Sequence, residues 1–226
     1  MQAVDEAKEL AAQKSLEFVE PGMVVGLGSG TTATHFIRVL GEKVKHGLSV
    51  RGIASSKTSE QLARSFSIPM VDFFQCSEID VTIDGADEIA PGLALIKGGG
   101  GALLREKIVA SVSKRFIVVA DSRKVVTHLG KFPLPVEVIP MASPIVARKL
   151  LALGIPSQVR RLSGGSDFVT DEGNLILDCE CGEIADPDKL AASIRGIVGV
   201  VEHGLFLGMA NLALVAYGSA VRELSR

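Results

Sequence analysis

"MVVGLGSGTTATHFIRVLGEKV" (residues 23–44) begins as a short apolar strand and ends as an amphipathic helix, with a glycine-hydroxyl turn between them. A strand that feeds a helix through so few residues is half of a βαβ unit, because the chain must cross the sheet before starting a parallel strand. The pattern repeats downstream. "SVRGIAS" (49–55) reads as a second strand and "KTSEQLARSF" (57–66) as a second helix. Pro69 introduces a third strand over 70–73, and "IDVTID" (79–84) is a fourth. "LALI" (93–96) reads as a short fifth strand, followed by a helix over 102–113 and the strand "RFIVVAD" (115–121). Upstream, residues 2–19 suit an amphipathic helix stopped by Pro21 and Gly22. This alternation predicts an α/β fold with a Rossmann-like, mainly parallel sheet, in which ligands gather at the carboxyl ends of the strands.

The character changes at "GKFPLPVEVIP" (130–140). From there the expected order is strand 136–139, helix 143–153, strand 157–162, strand 167–170, strand 174–181, helix 187–196 and strand 198–206. Ser143-Pro144 and Asp186-Pro187 each offer a cap followed by proline at the first helical position. "TDEGN" (170–174) is a hairpin turn. With 157–170 taken as one interrupted strand, the order is βαββαβ, a ferredoxin-like unit. "NLALVAYG" (211–218) is surplus to that unit and is expected to return to the first sheet. The expected division is therefore a Rossmann-like part, 1–131 with 208–226, and an inserted smaller α+β part, 132–207.

Composition narrows the function. Of 226 residues, 47% are hydrophobic and 22% charged, the balance of a soluble globular chain. A net charge of −2 leaves no broad footprint for nucleic acid or a membrane surface, so any phosphate must be gripped locally. Aromatics are 4%, with no Trp, which removes base-stacking platforms. Cys179 and Cys181 share one strand face, and with Cys76 they read as small hydrophobes, since no further ligands stand at metal-site spacing. His35, His46, His128 and His203 are scattered and read as structural or solvated. The N-terminus lacks the apolar centre of a signal peptide, and no run reaches the roughly 18 apolar residues of a membrane span. A cytoplasmic setting is expected.

Gly26, Gly28 and Gly30 resemble a dinucleotide fingerprint, but Thr31 stands where its last glycine belongs, and no acidic residue lies about 20 residues on to hold a ribose. That argues against a nicotinamide cofactor. Hydroxyls at Ser29, Thr31 and Thr32 on a helix N-terminus remain, and such a turn favours an anion. "IKGGGGALLREK" (96–107) is a second glycine turn, with Lys97 as a point charge beside it and no nucleotide-binding ending. Glu106 falls early in the next helix; Leu104, Ile108 and Val112 mark its apolar face, which turns Glu106 away from it. "DGAD" places Asp84 and Asp87 at a strand end. Singly, each motif also fits a plain turn or a solvated helix start. Together they put carboxylates, lysines and N–H donors at one end of one sheet, which suits metal-free proton transfer. Moving a proton between adjacent carbons of a sugar phosphate needs a carboxylate base, donors for an enediolate, a ring-opening group and a phosphate grip.

The motifs "GLGSGTTATHFI", "SSKTSEQ", "DGADEI", "IKGGGGALLREKI", "VVADSRK", "LGKFPLPVEVIP" and "VTDEGNLILD", with a late "GLF", occur in order along the chain. In them the sequence strongly resembles type A ribose-5-phosphate isomerases, over essentially its whole length. The resemblance implies interconversion of ribose 5-phosphate and ribulose 5-phosphate through a cis-enediolate, in the non-oxidative pentose phosphate pathway, without a cofactor. It implies that Glu106 is the base, that Asp84 assists ring opening, and that Asp87 and Lys97 complete the polar wall. Ser29, Gly30, Thr31, Thr32, Asp84, Gly85, Ala86, Asp87, Lys97, Gly98, Gly99, Gly100 and Lys124 would line the substrate site. The family often carries Thr then Ser where this chain has Ser29 and Thr31, so hydroxyls are kept at both places. A homodimer or homotetramer is implied as well. The rival readings are a non-catalytic sugar-phosphate sensor and a related deaminase or CoA transferase. Two effects oppose each other at Glu106: a helix N-terminus lowers its pKa, and desolvation raises it.

Overall fold

The computed structural model describes residues 2–226, with side chains from Asp5 onward. The chain begins with α1 (Gln2–Ser15), β1 (Val24–Leu27), α2 (Gly30–Lys45), β2 (Arg51–Ala54), α3 (Lys57–Ser65) and β3 (Val81–Asp84). It continues through β4 (Glu88–Ala90), β5 (Ala94–Ile96), α4 (Leu103–Ser111) and β6 (Phe116–Asp121). Next come β7 (Leu134–Val138), α5 (Ser143–Ala152), β8 (Ser157–Val159), β9 (Leu175–Cys179) and α6 (Pro187–Arg195). β10 (Val200–His203), β11 (Leu205–Phe206), β12 (Leu212–Tyr217) and β13 (Ala220–Ser225) complete it.

The main sheet has the order β13-β12-β6-β3-β1-β2, parallel except for the antiparallel edge strand β13. Its central strands β1, β3, β6 and β12 are buried on both faces, which explains their apolar runs. Ile83, Val119 and Leu214 face α1 and α2, packing with Ala11, Phe36 and Leu40. Val118, Ala120, Ala213 and Val215 fill the opposite face with Phe206. Each such fully buried Leu or Phe contributes about 1.5–3 kcal/mol. Because β1, β3 and β6 are parallel neighbours, Ser29, Asp84 and Asp121 all emerge at one edge.

The second sheet has the antiparallel order β10-β7-β9-β8, covered by α5 and α6 through Val146, Leu150 and Ile194. Counted within this unit the strands run 4-1-3-2, the ferredoxin-like arrangement expected from βαββαβ. β12 does return to the main sheet, between β6 and β13.

Five details differ from the sequence reading. Residues 70–73 make only an isolated bridge, Gly52 to Met70, because the Asp72 carboxylate accepts from the N–H groups of Phe74 and Gln75 and turns the chain. Residues 94–96 do not join the main sheet. Positive φ at Gly92 (72°) and Leu93 (57°) reverses the chain, so β5 pairs antiparallel with the unforeseen β4 in a third sheet, β11-β5-β4. Residues 167–170 form isolated bridges rather than a strand. The long strand expected over 198–206 divides at Gly204 into β10 and β11, which serve different sheets. β13 was not foreseen, since its charged, mostly exposed residues carry little of a strand's pattern. Among the described residues no helix is long and apolar enough to cross a membrane. Cys76, Cys179 and Cys181 are free thiols, and burial pushes that of Cys181 up to about 11.

Candidate active site

Asp84 ends β3 and is 1% exposed. Its Oδ1 accepts from the backbone N–H groups of Ser29 (2.9 Å) and Gly85 (2.7 Å), which ties the end of β1 to the end of β3. That close approach requires Gly28, where a Cβ would stand 2.2 Å from the same oxygen. Asp84 Oδ2 lies 3.0 Å from Lys97 Nζ.

Lys97 leaves β5 and is 2% exposed, its backbone N–H held by Gly204 O at 2.9 Å. An ammonium has three protons to donate. Two are committed at short range, to Asp84 and to Gly85 O (2.6 Å), while Glu106 Oε2 sits farther off at 3.4 Å. Burial works to lower the Lys97 pKa, but the carboxylates of Asp84, Glu106 and Asp87 outweigh it and hold the ammonium above the usual lysine range.

Glu106 lies in the first turn of α4 and is 4% exposed. The face expected for this helix is wrong. Leu103, Glu106, Lys107 and Ala110 are buried, while Ile108 is 43% exposed. The Leu104–Ile108–Val112 period is real, but α4 buries its other side, where Glu106 reaches the site and Lys107 reaches Glu202. Ser29 Oγ donates to Glu106 Oε1, so the residue capping α2 spends its hydroxyl on the glutamate instead of on its own helix. Glu106 Oε2 is buried without a hydrogen bond. Burial raises the Glu106 pKa to about 7; the Asp84 carboxylate adds to the rise, and Lys97 and the Ser29 hydroxyl oppose it. Of the two effects weighed for this glutamate, desolvation wins.

These groups meet at a cavity of about 170 Å³. Ser29, Gly30, Thr31 and Thr32 line it together with Gly85, Ala86 and Asp87 and with Lys97, Gly98, Gly99, Gly100 and Glu106, the buried Lys97 and Glu106 side chains forming its floor. Lys124 also lines it, as expected. Asp84 does not: it lies behind Lys97, because Gly85 and the Lys97 side chain close over it. Asp87 Oδ2 accepts from the N–H of Gly99 at 2.7 Å; a Cβ on Gly99 would meet that carboxylate at 2.6 Å. Three lining residues were missed as site residues. Lys8 donates to Thr31 Oγ1 at 2.9 Å, and Arg123 bonds Asp121 at 2.8 Å. Lys8 sits mid-helix with no local signal, whereas Asp121 and Arg123 fall in the strand-end motif "VVADSRK", of which only Lys124 was expected to line the site. Larger clefts open elsewhere, but among the described residues Asp87, Lys97 and Glu106 converge only here. The floor is acidic with one buried ammonium, and the rim is cationic. Such a cavity can hold an anion at its mouth and exchange protons at its base.

A family model described as ribose 5-phosphate isomerase A (phosphoriboisomerase A) matches residues 51–220. The chain belongs to this family. Ribose-5-phosphate isomerase A of Parvibaculum lavamentivorans is 51% identical over 217 residues, covering 93% of this chain and 94% of the relative. A D-ribose-5-phosphate isomerase solved in complex with phospho-erythronic acid matches with a TM-score of 0.96 at 39% identity, 99% of each chain being covered. Ribose 5-phosphate isomerase A from Methanocaldococcus jannaschii matches with a TM-score of 0.93 at 39% identity, over 98% of this chain and 99% of that one. The likeness to these isomerases spans both large sheets, so the small antiparallel unit belongs to the shared fold.

Proposed function

We propose that Glu106 is the base with which this ribose-5-phosphate isomerase moves a proton between C2 of ribose 5-phosphate and C1 of ribulose 5-phosphate. The observation that carries this is its buried carboxylate: one oxygen is tethered by Ser29 and the other bears no hydrogen bond. A pKa of about 7 suits a group that must take a proton and return it at neutral pH.

Lys8, Thr31 and Lys124 at the mouth, with the N-terminus of α2, take the phosphate, and the sugar chain then runs down to the floor. Glu106 removes the C2 proton. The electron pair forms the enediolate, and its negative oxygen is met by the third Lys97 proton and the glycine loop. Glu106 then delivers the proton to C1 as the O2 proton passes to O1, so one C–H bond breaks and one forms. Ring opening precedes this. It removes a proton from the anomeric hydroxyl and adds one to the ring oxygen. We assign it to Asp87 and Lys97, which line the cavity, and give Asp84 the task of holding Lys97 charged and in place.

The sensor reading gives a buried carboxylate with one oxygen free of hydrogen bonds no task. Incubation with ribose 5-phosphate decides: ketose formation by this chain and its loss in Glu106→Gln support the assignment, and an active Gln variant refutes it. The division at 132–207, a homodimer or homotetramer and a cytoplasmic setting remain part of this reading. Exposed Met141 and Val198 and the open sheet edges support the oligomer.

A further inference from the structure

Arg160 follows β8 in the second sheet, outside the main sheet whose strand ends build the cavity, and its side chain is 14% exposed. Its backbone is fixed on both sides: its N–H donates to Ile176 O at 2.8 Å, and its carbonyl accepts from Phe168 N at 2.9 Å. Nε and Nη2 are bound by the Asp178 carboxylate. Nη1 donates to two carbonyls of the cavity loop, Gly98 O at 2.9 Å and Gly99 O at 3.0 Å. The Phe168 ring, 5.9 Å from the guanidinium, lies against Gly101 of the same loop.

In a trans peptide the C=O and the following N–H point in opposite directions. A cation that gathers the Gly98 and Gly99 carbonyls on one side therefore turns the Gly99 and Gly100 N–H groups to the other. The Gly99 N–H is there, on Asp87 Oδ2 at 2.7 Å, and Gly100 lines the cavity. Glycine alone has no preference that would keep a four-residue run in one such conformation. The Gly101 N–H closes a turn onto Gly98 O at 2.9 Å, and the planar fork of arginine, itself clamped by Asp178, adds a rigid hold on both carbonyls.

We propose that Arg160 is a positioning residue for catalysis: from the second sheet it aims the Gly99 and Gly100 amides at Asp87 and at the oxygen that becomes negative in the enediolate. The inference rests on the assignment of that loop to the reacting oxygens.

Arg160→Met tests it, together with Arg160→Lys and Asp178→Asn. Misdirecting oxyanion donors is expected to lower kcat about 10- to 100-fold in Arg160→Met while KM stays within about threefold. Arg160→Lys does not rescue, because one ammonium cannot span Asp178 and both carbonyls. The decisive readout compares two inhibitors. Phospho-erythronic acid carries a carboxylate in place of the enediolate oxygens, whereas ribitol 5-phosphate shares the phosphate and hydroxyls but has no anionic oxygen at that end. Arg160→Met should weaken the first at least about tenfold and leave the second within about threefold. Equal losses for both inhibitors, or kcat within twofold of the parent in the folded variant, overturn the inference. Should Arg160→Met not fold, Asp178→Asn keeps the arginine but loosens it, and the same selective loss for phospho-erythronic acid decides. An active Glu106→Gln enzyme would instead remove the proposed base, while an inactive one beside a fully active Arg160→Met removes Arg160 alone.

Discussion

Replacing Glu106 by Gln should do two opposite things, and both can be sized. The isostere keeps the shape and can still bond Ser29, but it cannot accept a proton. Loss of general-base catalysis alone is worth about 10²–10⁴ in rate, so kcat should fall by at least that much with KM little changed. Stability should move the other way. The Glu106 pKa rises from an ordinary 4.5 to about 7 in the fold, so the folded chain holds this proton more tightly than the unfolded chain does. For a carboxylate shifted in this direction, stability is greatest below the unfolded pKa and declines as pH rises towards the folded one. Each tenfold change in proton affinity is 1.36 kcal/mol, so the parent loses on the order of 3 kcal/mol between about pH 4.5 and 7 on this account. Gln carries no such penalty. Urea unfolding of both chains at pH 4.5 and pH 8 gives the difference, with the titrating groups distant from Glu106 cancelling between them. Near-equal stability at the lower pH and a Gln variant more stable by about 2–3 kcal/mol at the higher one are expected. A Gln variant that turns over normally, or that is less stable than the parent at pH 8, would refute the reasoning.

Further tests address the neighbours. Ser29→Ala removes a donor to the charged form of Glu106. The acidic limb of kcat/KM, expected near pH 7 in the parent, should shift upward, lowering kcat/KM at neutral pH several-fold; the pH profile checks it. Lys97→Met leaves Asp84 and Glu106 buried without their cation, and should cost about 3–5 kcal/mol in urea unfolding besides abolishing turnover. Lys8→Met should raise KM for ribose 5-phosphate about tenfold with kcat nearly unchanged, as measured by initial rates, because it removes phosphate binding shared by substrate and transition state.

Much of this was legible locally. The strand-turn-helix signal at 23–44 and the strand signal at 79–84 span few residues and are set by sequence neighbours, so β1, α2 and β3 fall where expected. Asp186-Pro187 likewise places α6, where the Asp186 carboxylate accepts from the Lys189 N–H, whereas Ser143 is the first residue of α5 and does not cap it. Tertiary structure decided the rest. Leu104, Ile108 and Val112 form a true helical stripe, but periodicity cannot say which stripe a helix buries when a carboxylate and a lysine have buried partners waiting. The reversal at Gly92 and Leu93, which removes 94–96 from the main sheet, depends on a leucine at positive φ that no propensity favours. Lys8 and Arg160 reach the site across 23 and 61 residues of sequence to Thr31 and Gly99, and no motif encodes those distances.

On the proposed mechanism one carboxylate, Glu106, serves both carbons from one face. Conversion of ribose 5-phosphate in deuterated water, quenched within a single turnover and read by proton NMR, tests it most directly. Whatever deuterium a single base on one face exchanges from solvent must enter at only one of the two C1 hydrogens of ribulose 5-phosphate. Deuterium divided equally between both C1 positions contradicts it.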